Sequence, residues 1–421
     1  MEENIDLFII SDIEHSSPRI TNLIYYLPSN YNKIWISADP DGKINENDLP
    51  LGFYKKVKLL YFKRGLNLFS KGKIIENGII KNKSSLISLF YFKIKRLLIK
   101  FILNILIPDQ YFFTYRKYII LFNKYYNPKN KTIILSSFPY ATPNIASYFI
   151  KKSNENVQWL IDYRDLWTFN HNYSFSKIRK RIDFLIEKKI LSNVDKVLCV
   201  TKENQKIISN KFKIKSNLIL NGFSYQINYN FDSKDFFKKN FKGSKTRILH
   251  VGTLSPEFQD LDLLLSSENL SESNIEIHFM GRFSSILNEE VEKRDLGHKI
   301  KYIGMYTRDE SIQIQKLYDG LVYFESKFNT GVLLLKFYEY INADKPIISI
   351  GGLKKTESKE ILKKLDRGLL IEDKISMAKF LKNPKSHLNK IKFDIENKFL
   401  FSYENRAKEL NDVIDSHIKK I

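Results

Sequence analysis

The sequence predicts an α/β protein with two doubly wound domains, and two observations lead to that prediction. Short apolar runs alternate with longer amphipathic runs along most of the chain, which is the pattern of a parallel sheet covered by helices. This alternation pauses once and then starts again. The chain has 421 residues and is 43% hydrophobic, which is too long for one core and apolar enough for two.

The first series of elements occupies the predicted domain 1–228. Its apolar runs predict the strands Leu7–Ile10, Lys33–Ser37, Val57–Phe62, Thr132–Ser136, Gln158–Ile161 and Lys196–Val200. The helices predicted between them are Arg19–Leu27, Ser84–Leu106, Tyr111–Tyr126, Asn144–Lys152 and Lys177–Leu191.

The pause falls over residues 224–244, "SYQINYNFDSKDFFKKNFKGS", which are polar, aromatic and charged without a clean period. They are typical of a connection between domains. The second predicted domain, 245–385, has the strands Arg247–Val251, Glu276–Met280, Lys301–Ile303, Gly320–Phe324 and Pro346–Ile350. The remaining residues, 386–421, are helical and charged, and we expect them to pack back on the first domain.

The net charge is +22, from 69 Lys and Arg against 47 Asp and Glu. Such an excess attracts polyanions, although a chain rich in Lys, Asn and Ile throughout also reaches it without such a partner. The single cysteine, Cys199, excludes an internal disulfide and a cysteine-based zinc site, and it fits a reducing compartment. The start, "MEENIDLFIISDIEHSS", is acidic with a four-residue apolar run, so we expect a first strand there and not a signal peptide.

Residues 84–107 combine a long apolar face with basic side chains. Lys93, Arg96 and Lys100 fall on one side of a helical wheel, opposite the aliphatic and aromatic residues. This layout is typical of a helix lying in the interface of an anionic membrane, and the cations argue against a membrane span. An ordinary core-facing helix with a solvated basic face remains an alternative. Nucleic acid is not expected as a partner, because no helix-turn-helix, zinc or aromatic-stacking signature accompanies the charge.

Two predicted strands of the second domain end in glycine, at the edge where open α/β sheets bind ligands. Gly252-Thr253 follows "ILHV", and Gly281-Arg282 follows "IHFM". A glycine there lets the backbone approach a phosphate, and a guanidinium binds a diphosphate with two hydrogen bonds. The alternatives are a glycine needed only for the turn and a solvated loop arginine.

Lys336 and Glu339 lie one helical turn apart in "LLLKFYEYINADKPIISIGG". Lysine neutralises phosphate, and a carboxylate accepts both hydrogen bonds of a ribose diol, so the pair fits a nucleotide sugar. As a surface ion pair it would contribute under about 1 kcal/mol and would say nothing of function.

In the first domain, "WLIDYRDLW" places Asp162, Arg164 and Asp165 directly after a strand. Two carboxylates and a guanidinium so close together are candidate catalytic groups. The alternative is a helix-capping aspartate with a structural Arg–Asp pair.

A metal site is not expected. Asp39 and Asp41 in "ISADPDG", and Asp260 and Asp262 in "DLD", have an Asp-x-Asp pattern that could hold a divalent metal ion. Both are read more simply as a turn and a helix start.

Taken in order, these segments resemble the GT-B glycosyltransferases, and within them the retaining glycosyltransferase family four, which includes capsule, O-antigen and lipid-linked sugar transferases. The resemblance covers nearly the whole chain. In the first domain it is carried by "SSPRITNLIYYLP", "IPDQYFFTYRKYII", "SSFPYATPNIASYFIKK", "WLIDYRDLW", Glu187, "VDKVLCVT" and "LILNGF". In the second it is carried by "ILHVGTL", "IHFMGRF", "YIGMYTRDESIQIQKLYDGLVYF" and "KFYEYINADKPIIS".

The resemblance implies two Rossmann-like domains facing each other across a cleft, with a nucleotide sugar bound by the second and an acceptor by the first. The residues it implies for donor binding are Gly252, Thr253, Arg282, Lys336, Glu339, Tyr340 and Arg19. It places Asp162, Arg164 and Asp165 near the transferred sugar or the acceptor. It also implies no cofactor, and a location on the cytoplasmic face of the cell membrane.

The sequence departs from the family's pattern at four places. Gly331 stands where the family has the first glutamate of its Glu-x7-Glu pair. After the glycine that corresponds to Gly252, Thr253 replaces the family's arginine, and Gln259 replaces the lysine seven residues further on. The usual active-site histidine of the first domain is replaced by the Asp162–Asp165 segment. Two hypotheses therefore remain besides an active transferase for a lipid-linked glycan acceptor: a catalytically inactive scaffold of the same fold, and a polyanion-binding protein.

Overall fold

The computed structural model describes residues 5–13, 18–39, 49–63, 108–109, 111–224, 231–253, 259, 261–265, 269–282, 285–328, 332–392 and 395–418. The chain divides into two compact units, Met1–Ile219 together with Asn411–Ile421, and Leu220–Leu410.

The first unit contains a parallel sheet of seven strands in the order β3-β2-β1-β4-β5-β6-β7. The strands are β1 (Ile5–Ile10), β2 (Tyr31–Asp39), β3 (Lys58–Lys63), β4 (Lys131–Ser137), β5 (Val157–Tyr163), β6 (Lys196–Cys199) and β7 (Ser216–Leu218). All six residues of β1 are buried, because a parallel sheet is covered on both faces. The order reverses between β1 and β4, and the crevice at such a point is where doubly wound sheets bind ligands.

Six described helices accompany this sheet before the chain enters the second unit. They are α1 (Arg19–Tyr26), α2 (Phe53–Lys56), α3 (Tyr115–Tyr125), α4 (Ala141–Ser153), α5 (Lys177–Leu191) and α6 (Lys202–Phe212). They cover a core of aliphatic and aromatic side chains in which Trp159, Ile134 and Phe8 have no exposed surface.

The second unit contains a parallel sheet of six strands in the order β10-β9-β8-β11-β12-β13. The strands are β8 (Thr246–Val251), β9 (Ile275–Met280), β10 (Ile300–Gly304), β11 (Gly320–Phe324), β12 (Ile347–Ile350) and β13 (Gly368–Ile371). The order reverses between β8 and β11, so the carboxyl end of β8 lies at the point where this sheet is expected to bind a ligand.

The helices of the second unit fill both faces of its sheet, over two hydrophobic clusters. They are α7 (Ser233–Asn240), α8 (Asp262–Leu265), α9 (Ser285–Lys293), α10 (Arg308–Gln315), α11 (Leu335–Asn342), α12 (Glu357–Lys364), α13 (Lys374–Lys382), α14 (Pro384–Asn389) and α15 (Ile395–Lys398). The last helix, α16 (Tyr403–Ile418), begins in the second unit, and from Asn411 its residues are grouped with the first.

The predicted two doubly wound sheets are confirmed, whereas the predicted irregular connection over 224–244 is corrected for Ser233–Asn240. These residues form α7 because the Asp232 side chain accepts hydrogen bonds from the backbone N–H groups of Lys234 and Asp235, and because Phe236 is buried in the second unit. The amphipathic helix predicted over 84–107 lies outside the described residues. No helix within the described ranges has the length and apolar character to cross a bilayer.

Candidate active site

Two glycine turns touch each other at the carboxyl edge of the second sheet. Gly252 follows β8 with a φ of 107°, and Gly281 follows β9 with a φ of 134°, values that favour glycine. The N–H of Gly252 donates to the Met280 carbonyl over 2.7 Å. A Cβ on Gly281 would lie 2.8 Å from the Gly252 backbone. Both positions therefore need glycine, and together they leave a turn without side-chain bulk at the ligand-binding edge.

The Lys336 side chain extends from the first turn of α11 over this glycine turn. Its Nζ lies 3.3 Å from the point where a Cβ of Gly252 would be. Burial lowers the pKa of Lys336 to about 7, with Glu339 acting in the opposite direction. Because a buried lysine loses its proton more easily, the charge of this amine depends on what lies beside it.

The nearest polar neighbour of that amine is a histidine. Lys336 Nζ lies 3.2 Å from His250 Nε2, and His250 Nδ1 lies 3.0 Å from the Val322 carbonyl oxygen. Burial holds the pKa of His250 well below its usual value, and the nearby Lys336 lowers it further. The imidazole is therefore neutral at pH 7.

Glu339 lies one turn along α11 and is paired with an arginine. Arg308 Nε, at the start of α10, donates to Glu339 Oε1 over 2.8 Å. The adjacent Tyr340 is buried, and its hydroxyl oxygen accepts a 2.7 Å hydrogen bond from the Val251 N–H. Tyr340 thus supports the turn from below, whereas Glu339 is half-buried beside it.

The other residues predicted for the donor are more exposed or lie outside the described ranges. The side chains of Thr253 and Arg282 are exposed. Gln259 is buried and forms an isolated antiparallel bridge with Ser326. Gly331 is outside the described residues, as are Lys93, Arg96 and Lys100 of the predicted membrane-facing helix.

In the first unit, Arg19 and Asp162 form a fully buried ion pair. Arg19 Nη2 lies 2.8 Å from Asp162 Oδ1, and both side chains are 0% exposed. Arg19 Nη2 also donates to the Ile219 carbonyl over 2.9 Å. Ser137 Oγ donates to Asp162 Oδ2 over 3.3 Å. This geometry favours the structural Arg–Asp pair, since side chains so enclosed do not reach a ligand in this conformation. The ligand contacts of Arg19 and Asp162 stay predictions.

Arg164 and Asp165 are instead partly open to solvent. Arg164 Nε lies 3.3 Å from Asp165 Oδ2, and their side chains are 24% and 30% exposed. Asp165 lines a cavity of about 490 Å³ in the first unit, a volume typical of small-molecule sites. The aromatic rings of Tyr140, Trp167 and Tyr173 form much of its wall.

Glu187, which the resemblance includes, is buried and binds Thr168, the residue after the cavity-lining Trp167. Its carboxylate accepts hydrogen bonds from the Tyr163 hydroxyl over 2.9 Å and from the N–H and hydroxyl of Thr168. Burial raises the pKa of Glu187 to about 7, although these hydrogen bonds lower it.

The structure adds two residues that the sequence did not single out, His250 and Arg308. His250 lies in the quoted motif "ILHVGTL". Its position one residue before the end of a predicted strand could have identified it as a candidate site residue. Arg308 follows Thr307, whose side chain caps α10, and its partner Glu339 is 31 residues away. Among the described residues no cluster of His, Cys, Asp and Glu has the geometry of a metal site.

The two sheets define the class of the molecule as a pair of Rossmann-like units. No family model matches the chain. No curated protein matches it in sequence.

Solved structures with this architecture match over almost the full length. The chain is similar to sucrose-phosphate synthase from Thermosynechococcus elongatus, with a TM-score of 0.62, 13% identity and 100% of both chains covered. It is similar to HepE of Anabaena in complex with UDP, with a TM-score of 0.60, 10% identity and coverage of 98% and 99%. A glycosyltransferase from Rickettsia africae gives a TM-score of 0.58, 13% identity and 100% of both chains. The predicted GT-B fold is thereby confirmed, while identities this low establish the fold alone.

Proposed function

We propose that this protein is a glycosyltransferase that moves a sugar from a nucleoside-diphosphate sugar to a glycan acceptor. The observation that supports this most directly is the Lys336 amine above the bare Gly252 turn, at the carboxyl end of β8. A turn without side chains lets a diphosphate approach the backbone, and a cation at that place neutralises its charge. The similar HepE structures contain UDP in one case and UDP with glucose in another.

In this proposal the second unit binds the donor. Lys336 and the Gly252-Thr253 turn bind the diphosphate, Glu339 accepts the hydrogen bonds of the ribose hydroxyls, and Arg282 flanks the nucleotide. Arg308 holds Glu339 through the 2.8 Å contact, so the carboxylate is already oriented before the nucleotide arrives. Tyr340 takes no direct part, because its hydroxyl is engaged by the Val251 N–H.

The chemistry depends on charge at the leaving group. As the bond between sugar and diphosphate breaks, negative charge develops on the diphosphate, and a positioned ammonium stabilises it. We propose from the family resemblance that the reaction retains the anomeric configuration and needs no metal ion.

The acceptor end of a glycan fits the cavity of the first unit. Its aromatic rings suit the faces of sugar rings, and the partly exposed Asp165 carboxylate accepts hydrogen bonds from hydroxyl groups. We propose that Asp165, held by Arg164, contacts the acceptor. Arg19 and Asp162 are retained as the pair that positions the end of β5.

We also propose that the acceptor is lipid-linked, that the enzyme acts in surface polysaccharide synthesis, and that it binds the cytoplasmic face of the membrane. The basic amphipathic pattern over 84–107 supports this, and so does the outer face of α5. There Ile178 is 72% and Leu185 is 65% exposed. The exposed cations of that helix are Lys177, Lys180, Arg181, Lys188 and Lys189, and its two acidic residues are buried. Cations beside exposed aliphatic side chains favour an anionic bilayer.

The donor assignment is tested by calorimetry with UDP, GDP and ADP. We expect one nucleotide to bind the wild type and Glu339→Ala to weaken that binding at least tenfold, because the ribose contacts and the anchor for Arg308 are lost together. Glu290→Ala is the matched control, since Glu290 is a half-exposed carboxylate of α9 that pairs with Arg294, the residue after this helix. Unchanged affinity in Glu339→Ala would refute the site.

The membrane assignment has its own test with anionic vesicles. Lys93→Glu combined with Arg96→Glu should release the protein. Lys363→Glu combined with Lys364→Glu makes the same change in net charge on exposed residues of α12, and this variant should stay bound. Equal binding by both variants would mean that net charge alone attracts the protein.

A catalytically inactive scaffold is the second candidate. Thr253 and Gln259 support it, since both stand where the family carries a cation and Gln259 is buried. A scaffold of this kind is expected to bind none of the three nucleotides, and the same calorimetry therefore separates the two candidates.

A further inference from the structure

His250 is held in a single protonation state by its surroundings. The ring lies between Phe279 and Phe324, with centroid distances of 5.6 and 5.1 Å, and it has no exposed surface. Its Nδ1 faces the Val322 carbonyl oxygen at 3.0 Å. Because a carbonyl oxygen only accepts, Nδ1 must carry the hydrogen, which leaves a lone pair on Nε2.

That lone pair is directed at the Lys336 amine, 3.2 Å away. The amine donates to it, and His250 is the one polar partner of Lys336 Nζ among the described residues. A neutral acceptor fixes the direction of the amine without cancelling its charge, whereas a carboxylate in the same place would form an ion pair and compete with a ligand anion.

The other described polar groups around the Lys336 amine are bonded to other partners. Glu339 is on the same helix as Lys336 and acts on it at a distance, but its own Oε1 is occupied by Arg308 of α10. Tyr340 points to the Val251 N–H. The strands β8, β9 and β11 contribute His250 and aromatic rings. Within the residues that the structure describes, no carboxylate is therefore bonded to the Lys336 amine.

We propose that His250 is a positioning residue that aims the Lys336 amine at the diphosphate, and that nucleotide binding brings one proton from solvent onto Lys336 Nζ. The inference rests on the proposed function, because it assumes an anion at the Gly252 turn. No bond to the nucleotide is made or broken. The proton leaves a buffer molecule, the amine becomes an ammonium, and the diphosphate supplies the opposite charge.

The sign of the pH dependence follows from the state of the free protein. With a pKa of about 7, the free amine is mostly neutral at pH 8, and a bound diphosphate raises that pKa because it favours the charged form. Affinity should therefore fall as pH rises above 7, by up to about tenfold per pH unit. Phosphate monoesters lose their second proton near pH 6, so the charge of the nucleotide stays constant over this range.

Proton uptake is measured by titrating UDP, GDP and ADP into the wild-type protein at pH 8, in two buffers that differ in ionisation enthalpy. The expected result is an uptake approaching one proton for whichever nucleotide binds. Binding without proton uptake would overturn this inference and leave the donor site standing. Binding of none of the three nucleotides would overturn both.

Two variants separate positioning from folding. His250→Gln keeps an acceptor near the position of Nε2, and His250→Leu fills similar space without one. We expect His250→Leu to bind at least tenfold more weakly than the wild type, with a flatter pH profile between 7 and 9, and His250→Gln to recover most of both losses. Equal affinity and equal pH profiles in the three proteins would refute the role of His250. If His250→Leu does not fold, wild-type proton uptake still tests the protonation of Lys336, and a loss of affinity in His250→Gln beyond a few-fold would refute the positioning role.

Discussion

Replacing Asp162 by asparagine should destabilise the first unit strongly, because it isolates a buried cation. Asparagine has almost the same shape as aspartate and still offers one oxygen to Arg19. The change therefore removes the charge of a pair that is 0% exposed on both sides, without opening a cavity.

The size of the effect follows from that burial. Breaking a buried ion pair by removing one partner costs about 3–5 kcal/mol, since the remaining charge is left uncompensated. Arg19 would keep its hydrogen bond to the Ile219 carbonyl and one to the new amide oxygen, which places the expected loss near the lower limit. For a unit of this size each kcal/mol lowers Tm by about 2–4 °C, so we expect Tm to fall by roughly 10 °C.

The assay is urea unfolding together with thermal unfolding followed by circular dichroism. Glu290→Gln is the matched control, because it removes the same charge from a half-exposed pair and should cost less than about 1 kcal/mol. The double variant Arg19→Met with Asp162→Leu should recover much of the loss, as apolar replacements of buried pairs often do. If Asp162→Asn kept the wild-type midpoint but abolished sugar transfer, our structural interpretation of the pair would be refuted in favour of a chemical role.

Three further predictions follow from other residues. The free energy of unfolding should fall between pH 5 and pH 8. The folded protein keeps the Glu187 proton up to a pKa of about 7, whereas the unfolded chain loses it at lower pH. In urea unfolding, Glu187→Gln should remove that part of the pH dependence. Gly281→Ala should lower Tm and weaken nucleotide binding, since its Cβ would meet the neighbouring turn, whereas Gly297→Ala, which has open space around it, should change neither in thermal-shift and calorimetric measurements. Asp165→Asn should lower the rate of sugar transfer in a turnover assay and leave nucleotide affinity unchanged, because Asp165 belongs to the unit without the donor site.

Much of the fold was predictable because buried parallel strands are continuous apolar runs. The run at Leu7–Ile10 lies inside β1, and the run at Gly320–Phe324 coincides with β11. The edge strand Ser216–Leu218 was missed, since it has three half-buried residues and little apolar signal. Helix α7 was missed because its apolar side is aromatic and short, and its capping aspartate resembles the polar residues of a loop.

The candidate site could be predicted only where residues that are close in the structure are also close in the sequence. Lys336 and Glu339 share one helix, and the glycines follow apolar runs. The Arg19–Asp162 pair joins residues 143 positions apart, and no local pattern distinguishes a buried ion pair from two ligand-binding side chains. The partnership of His250 with Lys336 depends on two elements, β8 and α11, meeting at an edge, which sequence spacing does not encode.

The contrast between the two units supports the proposed function more than the fold does, since one fold carries many functions. In the first unit the buried guanidinium of Arg19 is neutralised by a carboxylate in direct contact, the usual arrangement for charge taken out of water. In the second unit the amine of the half-buried Lys336 faces a neutral imidazole, while the carboxylate of Glu339, one turn along the same helix, is bound by Arg308. Because no described carboxylate is bonded to the Lys336 amine, its ammonium form is less stable in the free protein. It becomes favourable when an anion binds at the Gly252 turn, and perturbed groups of this kind cluster at functional sites for that reason.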